Sequence, residues 1–168
     1  PLPGDGRPKT KVGLLLPLSG PDGELGKAML RASQMAVFEV ADDAFLLMPG
    51  DTAGTPAGAD AAGRELLARG VRLLLGPLFS ESVSAAIVPA RDADVNLVAF
   101  SNNRSVAGDG SFLIGLLPRE QVVRVVGYAR AQGVLRFASL APDTLYGHQV
   151  VDDLAEAVAI MGGTMTHS

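Results

Sequence analysis

The 168-residue chain carries 14 Lys and Arg against 18 Asp and Glu, a formal net charge of −4, so it lacks the positive field that would attract nucleic acid. A hydrophobic share of 48% is enough to bury a core and excludes a disordered chain. The absence of cysteine excludes disulfides, thiol catalysis and thiolate metal sites, and the apolar runs are far shorter than the roughly 20 residues of a membrane span.

Both ends of the chain differ from its middle. Residues 1–10 are polar and rich in Pro and Gly, and we expect a flexible leader that follows a removed targeting segment. Residues 162–168 follow a helical pattern with a turn and the beginning of a strand. We therefore expect the fold to continue beyond Ser168.

Apolar runs and helical patterns alternate through the chain, which is typical of parallel strands joined by crossover helices. The apolar runs are continuous, so we expect each strand to be central and buried on both faces. Strands are predicted at 12–16, 45–48, 71–75 and 96–100, and the helices between them at 24–40, 56–69 and 80–92. The pattern predicts an α/β fold with a doubly wound parallel sheet.

Local signals define these helices further. Pro56 and Gly70 mark the two ends of the second helix, and Ser80 can cap the amides at the start of the third. The face of the first helix that lies on the sheet is predicted from residues at helical spacing, namely Leu25, Ala28, Met29, Ala32, Ala36 and Val40.

The alternation of strands and helices is interrupted once, by the turn-rich loop 103–111. A strand is predicted at 112–117 and a helix at 119–132, which ends at Gly133; a strand at 135–140 and a helix at 146–161 follow. We place a lobe boundary near Gly133. Residues 11–133 are then a first α/β lobe, and residues 134–168 are the incomplete beginning of a second.

Small polar residues follow three of the predicted strands. Because the carboxyl ends of parallel strands lie at one edge of a sheet, beside helix N-termini, such residues can meet there around a ligand. Hydroxyls and amides suit a small carboxylate ligand that is bound without a covalent step. Taken singly, each residue fits a helix cap or a turn former as well. The candidates are Ser19 after the first strand, Phe79 and Ser80 after the third, and Ser101, Asn102 and Asn103 after the fourth.

Enzyme and metal signatures are absent from the sequence. Neither a glycine-rich nucleotide-binding pattern nor a Gly-x-Ser-x-Gly elbow occurs, so we expect no nucleotide cofactor and no serine hydrolase. His148 and His167 are the imidazoles of the chain, and we interpret them as a solvated helix residue and a tail residue. The carboxylate spacings match no calcium loop, so we assign no metal site and expect a chain that is not an enzyme.

Four pieces of the chain, in this order and spacing, carry a family resemblance: residues 11–20 (KVGLLLPLSG), 50–52 (GDT), 76–80 (GPLFS) and 141–147 (APDTLYG). Together they resemble the type I periplasmic binding proteins, the Leu/Ile/Val-binding group that serves ABC importers. Within that superfamily, residues 100–108 (FSNNRSVAG) look most like the branch of penicillin-binding-protein activators. The resemblance implies two α/β lobes that close over a ligand, of which this chain has the first lobe and the start of the second.

The resemblance also implies roles for particular residues. Ser80 is similar in position to the family serine that binds the ligand carboxylate at a helix N-terminus. Ser101 and Asn103 fall where members contact the ligand carboxylate and ammonium, and Tyr146 matches the aromatic residue of the second lobe that closes over the ligand. Leu25 and Asn103 depart from the family pattern, which has an aromatic residue and Thr there, so the resemblance leaves the ligand open.

These features together predict a periplasmic solute-binding protein of an ABC importer, with a small amino-acid-like or carboxylate ligand and a membrane permease as partners. Its signal or lipoprotein segment would lie outside this chain. The alternative is an activator that regulates peptidoglycan synthesis through contact with a cell-wall synthase. A third and weaker interpretation is a small enzyme, which the lack of a nucleophile and base pair disfavours.

Overall fold

A computed structural model describes residues 9–41, 44–115 and 117–167 of the chain. The first eight residues of the expected leader lie outside the described residues, and Thr10 already belongs to a strand. Strands and helices alternate along the described part, with a short 3-10 helix at Arg104–Val106 after the fourth strand. The strands are β1 Thr10–Leu16, β2 Phe45–Asp51, β3 Leu73–Leu75, β4 Leu97–Ala99, β5 Ser111–Leu113, β6 Arg136–Ala138 and β7 Thr164–His167. The helices are α1 Gly23–Val40, α2 Pro56–Ala68, α3 Ser80–Asp92, α4 Pro118–Ala131 and α5 Leu145–Ile160.

The main sheet is built around β1. Its five strands lie in the order β2-β1-β3-β4-β5, and every neighbouring pair is parallel. Val12 is in register with Leu47 on one side and with Leu73 on the other. This arrangement confirms the α/β fold class and the doubly wound parallel sheet that the sequence predicts.

Helices cover the two faces of this sheet. The connection from β1 to β2 runs in the opposite direction from those that lead to β3 and β4, so right-handed crossovers place α1 on one face and α2 and α3 on the other. α2 and α3 pack together over the main core, which includes Leu15, Leu66, Leu74, Val83 and Leu97. The α1 face holds a groove of about 600 Å³ between this helix and the strands.

The expected inward face of α1 is confirmed in part, and the helix has the expected length. Ala36 and Val40 line the groove over the strands together with Ser33 and Val37, whereas Leu25 is exposed. The first turn of the helix lies close to the end of β1 at Gly26, where a Cβ would lie 2.0 Å from the carbonyl oxygen of Pro17. Only glycine lets the helix approach the end of β1 on this side.

One of the four strands that were expected to be central lies at an edge instead. β2 and β5 form the two edges of the main sheet, and of these β2 was expected to be central. Leu46 of β2 and Phe112 of β5 are exposed at these edges. A continuous apolar run predicts a parallel strand, but it does not predict whether that strand lies at an edge.

The chain divides into two compact units after Gly115, which is earlier than the boundary expected near Gly133. The difference is α4, which packs against α5 of the second unit. Val126 of α4 lies in a small core with Ala157 and Val158 of α5. The guanidinium of Arg119, also on α4, forms an ion pair with Glu156 of α5. Helix α4 therefore belongs with β6, α5 and β7.

Asp51, the last residue of β2, joins the connections that follow β1 and β2. Its Oδ1 accepts hydrogen bonds from the backbone amides of Leu18 (2.8 Å), Ser19 (3.2 Å) and Ala53 (2.8 Å). Burial alone would raise the pKa of this carboxyl, but the Ser19 side chain and these amides stabilise its charged form and lower the pKa below its usual value. A negative charge thus holds the two loops together.

No helix in the described part of the chain is both long enough and apolar enough to cross a membrane.

Replacing Leu74 with Ala should lower the free energy of unfolding by about 2–5 kcal/mol, because the side chain is fully buried and its loss leaves a cavity. Leu25→Ala is the matched control, since Leu25 is 49% exposed and should cost no more than about 0.5 kcal/mol. Urea unfolding followed by circular dichroism measures both. Similar losses for the two variants would contradict the position of the core.

Replacing Asp51 with Asn removes the charge that the loop amides stabilise. Because Asp51 is exposed and water screens this charge, the free energy of unfolding at neutral pH should fall by about 0.5–1 kcal/mol. The pKa of Asp51 is lowered by folding. Its contribution is therefore present above an unfolded pKa of about 4 and is lost as the pH falls through the lower folded value.

Urea unfolding at about pH 7 and about pH 3 should show the difference between wild type and Asp51→Asn shrinking at the lower pH. Asp92→Asn serves as the control, because Asp92 is an exposed carboxylate at the end of α3. A difference that is equal at both pH values, or an equal loss in the control, would argue against this role of Asp51.

Candidate functional site

The candidate site lies at the carboxyl ends of β1 to β4. The chain leaves β1 toward one face of the sheet and leaves β3 toward the other, so the two connections diverge between these neighbouring strands. In doubly wound sheets such a divergence opens a crevice that helix N-termini border. The topology thus produces a site here before any side chain is considered.

A cavity of about 430 Å³ occupies this crevice, and all of its lining residues belong to the first unit. Four successive connections contribute to its wall, each following one of the strands β1 to β4. This confirms that the loops come together at one edge of the sheet. The lining residues are Asp22, Gly54, Pro56, Leu78, Phe79, Ser80, Glu81, Ser82, Ser101 and Asn102.

The N-terminus of α3 forms one side of the cavity. Phe79 occupies the N-cap position with extended backbone, and it makes no side-chain cap hydrogen bond. The first hydrogen bond of the helix runs from the Val83 amide to the Phe79 carbonyl oxygen (3.0 Å). In the described part of the chain the amides of residues 80–82 have no carbonyl or side-chain acceptor. They are donors at the positive end of the helix dipole.

This geometry corrects the expectation that Ser80 caps α3. Ser80 is the first helical residue, so its side chain lies after the cap position and lines the cavity instead. Helix α2 shows the arrangement that was expected, since the Thr55 hydroxyl accepts a hydrogen bond from the Gly58 amide (3.1 Å). Helix α3 begins at Ser80, as the sequence predicts, but its cap position falls on Phe79, whose backbone is extended.

The loop after β4 supplies a second hydroxyl. Ser101 is 4% exposed, and its Oγ accepts a hydrogen bond from the Asn103 amide (3.1 Å), which leaves its own proton free to be donated. Asn102 is exposed and lines the cavity beside it. The side chain of Asn103 turns to the loop itself, where its Oδ1 accepts from the Ser105 amide (3.0 Å) at the start of the 3-10 helix.

Ser19 and Tyr146 do not line this cavity. Ser19 is exposed and bonded to Asp51, so it supports the loop after β1. Tyr146 belongs to the second unit, where it lies in the first turn of α5 and is 52% exposed. Phe79, Ser80, Ser101 and Asn102 are thus the predicted site residues that the cavity brings together.

Sequence reasoning missed Asp22 and Ser82 in the cavity wall and Asp51 beside it. Ser82 is 1% exposed, and its Oγ is a buried hydroxyl without a hydrogen-bond partner in the described chain. Ser82 could have been found from its position, because it follows Ser80 by two residues in the same helical turn. Asp22 follows the Ser-Gly-Pro turn after β1, and Asp51 ends a strand in Gly-Asp-Thr, so both could have been found as carboxylates at a strand's carboxyl end.

Among the described residues no group of three or more histidine or carboxylate side chains lies close enough to hold a metal ion. His148 pairs with Asp143 (Nε2 to Oδ1, 2.9 Å), and both side chains are exposed in the second unit. The cavity offers hydrogen-bond donors, two carboxylates and apolar surface, which suit reversible binding.

Comparison with known proteins gives one family match, to the periplasmic binding proteins, over residues 9–168. A curated relative, an uncharacterized protein of Rickettsia prowazekii, is 23% identical over 94% of this chain and 42% of its own. The chain thus spans less than half the length of that relative.

Solved structures share the fold at low sequence identity. A branched-chain amino acid transporter protein of Rhodopseudomonas palustris has a TM-score of 0.78 at 18% identity, over 95% of this chain and 46% of its own. A solute-binding protein of the same organism in complex with 4-hydroxybenzoate has a TM-score of 0.75 at 18% identity, with the same coverage of 95% and 46%. LpoA of Haemophilus influenzae has a TM-score of 0.74 at 18% identity, over 95% of this chain and 30% of its own.

The matching family is one of binding proteins, in agreement with the expectation of a chain that is not an enzyme. Membership of this family implies a location outside the cytoplasm. The sheet order, the family match over nearly all of the chain and the coverage of about half of each solute-binding neighbour lead to one assignment. The chain belongs to the periplasmic binding protein family, and it matches the first lobe of the type I fold.

Proposed function

We propose that this chain is part of the periplasmic solute-binding protein of an ABC importer and that it binds a small carboxylate or amino-acid-like ligand in the cavity at the end of α3. The observation that supports this proposal is a cavity in which backbone amides and hydroxyls offer protons without partners of their own. Its volume of about 430 Å³ lies within the range of about 300–1,000 Å³ that is usual for small-ligand sites.

A carboxylate is the ligand group that best fits the donors. The amides of residues 80–82 carry the partial positive charge of the α3 N-terminus, which favours an anion. Ser80 and Ser101 line the same cavity and can each donate a hydroxyl proton. Hydrogen bonds to a charged oxygen are roughly twice as strong as neutral ones, so a few of them can orient a small ligand.

The remainder of the wall suits an apolar ligand body. Leu78, Phe79 and Pro56 line the cavity beside the polar groups. One neighbour holds 4-hydroxybenzoate and another is named as a branched-chain amino acid transporter protein, and both ligand classes carry a carboxylate on an apolar frame. We carry this ligand class to the present chain and choose leucine and 4-hydroxybenzoate as probes.

The remaining predicted residues have supporting roles in this proposal. Ser19 and Asn103 shape the loops that border the cavity, through their bonds to Asp51 and Ser105. We take the second unit as the beginning of a second lobe, and the ligand role of Tyr146 there stays a prediction from the family resemblance. Closure of the two lobes would report occupancy to a membrane permease.

Ser80→Ala should weaken binding of the responding probe by about tenfold or more, because a hydrogen bond to a charged group is lost. Ser84→Ala is the matched control, since Ser84 is an exposed serine one turn later in α3. Thermal-shift screening of the protein with leucine and 4-hydroxybenzoate, followed by calorimetry, measures both effects. Absence of binding by either probe, or equal weakening by the two variants, would contradict the proposal.

A second candidate function is favoured by the fold match to LpoA, a penicillin-binding-protein activator. In that case the protein would act on a cell-wall synthase by protein contact and would need no solute in the cavity. Surface plasmon resonance with purified penicillin-binding proteins distinguishes the two functions. A specific complex that persists in Ser80→Ala, together with no thermal shift by either probe, would favour the activator.

A further inference from the structure

We infer that Asp22 is a specificity-determining residue, which pairs with a cationic group on the ligand whose carboxylate lies on the α3 amides. This inference rests on the proposed function and adds a residue to it. It requires that the ligand carry both a carboxylate and a positive charge. The carboxylate that selects the cation would then come from the first unit itself.

The carboxylate of Asp22 stabilises no helix cap, ion pair or side-chain hydrogen bond in the described part of the chain. Asp22 stands at the N-cap position of α1, but its ψ of 12° differs from the extended backbone of a capping residue, and its side chain makes no cap hydrogen bond. No ion pair or side-chain hydrogen bond of the described residues uses it either. Lys27, the nearest lysine along the helix, pairs with Glu24 (3.0 Å) instead.

The position of this carboxylate is set by the cavity wall. Asp22 Oδ2 lies 3.4 Å from the point that a Cβ on Gly54 would occupy, and Cε2 of Phe79 lies 3.6 Å from the same point. A Cβ on Gly54 would make ordinary van der Waals contact with both groups, but the φ of +69° would strain any side chain there. Glycine at this position therefore leaves the space beside the Asp22 carboxylate and the Phe79 ring unoccupied.

The start of α3 offers hydrogen-bond donors to the same cavity. Ser82 is one of the lining residues, and its hydroxyl is buried without a partner in the described chain. The amides of residues 80–82 in the same turn are also without acceptors in the described chain. The α3 amides thus favour a negative ligand group, and the Asp22 carboxylate in the same wall favours a positive one.

The charges of the wall strengthen this selection. The charged residues that line the cavity are Asp22 and Glu81, and both are acidic. A ligand with a carboxylate alone would add a third negative charge, which the partial charge of one helix end offsets only in part. A ligand cation beside Asp22 removes that repulsion. Glu81 is exposed, so water screens its charge more strongly.

The test compares two probes with the same carbon skeleton, leucine and 4-methylpentanoate, which differ by the ammonium group. Calorimetry of the protein up to about 10 mM ligand should show that wild type binds leucine at least about tenfold more tightly. Asp22→Asn should reduce this preference to less than about threefold, mainly by weakening leucine. Glu81→Gln, the control for a carboxylate in the same wall, should keep the wild-type preference.

The outcomes separate this inference from the proposed function. An unchanged preference in Asp22→Asn, equal affinities of wild type for the two probes, or the same loss in Glu81→Gln overturns the role of Asp22 and leaves carboxylate binding intact. If neither probe nor 4-hydroxybenzoate binds wild type, the proposed function fails and the inference falls with it. Because Asp22 makes no cap hydrogen bond, Asp22→Asn should unfold at the same temperature as wild type.

Discussion

Parallel pairing of β1 with strands on both sides is the constraint on which the rest of the first unit depends. β1 is hydrogen-bonded to β2 and β3, and its residues Leu14, Leu15 and Leu16 are fully buried. Parallel strands cannot be joined by tight turns, so each connection crosses a face of the sheet as a helix. All connections that leave the strands therefore begin at one edge, and the crevice opens where two of them diverge.

Much of the fold could be predicted from the sequence, because its signals are local and periodic. Continuous apolar runs gave the strands, and Pro56 at a helix start and Gly133 at a helix end marked boundaries that the structure keeps within one or two residues. The edge position of β2 could not be predicted, since it depends on which strands of the chain pair beside it. Helix α4 was placed in the wrong unit for the same reason, because its partner α5 follows it.

The sequence also predicted several residues of the candidate site, but not the role of each of their atoms. A hydroxyl or amide after a strand identified Phe79, Ser80, Ser101 and Asn102, which line one cavity. What the pattern could not show is the function of each atom. Whether a serine caps its helix or lines a cavity depends on which residue takes the cap position, and in α3 that residue is Phe79. Unpartnered groups such as the hydroxyl of Ser82 become visible only when the three-dimensional contacts are known.

The central claim is that the edge of the sheet where α3 begins is the ligand-binding edge. Amide chemical-shift mapping of the nitrogen-15-labelled protein with leucine and with 4-hydroxybenzoate tests it most directly. The account predicts that the largest shifts fall at residues 80–82 and 101–103, while residues 70–72 and 93–95, around the cavity at the opposite ends of the strands, stay unchanged. Largest shifts at that opposite edge, or no shifts with either probe, would contradict it.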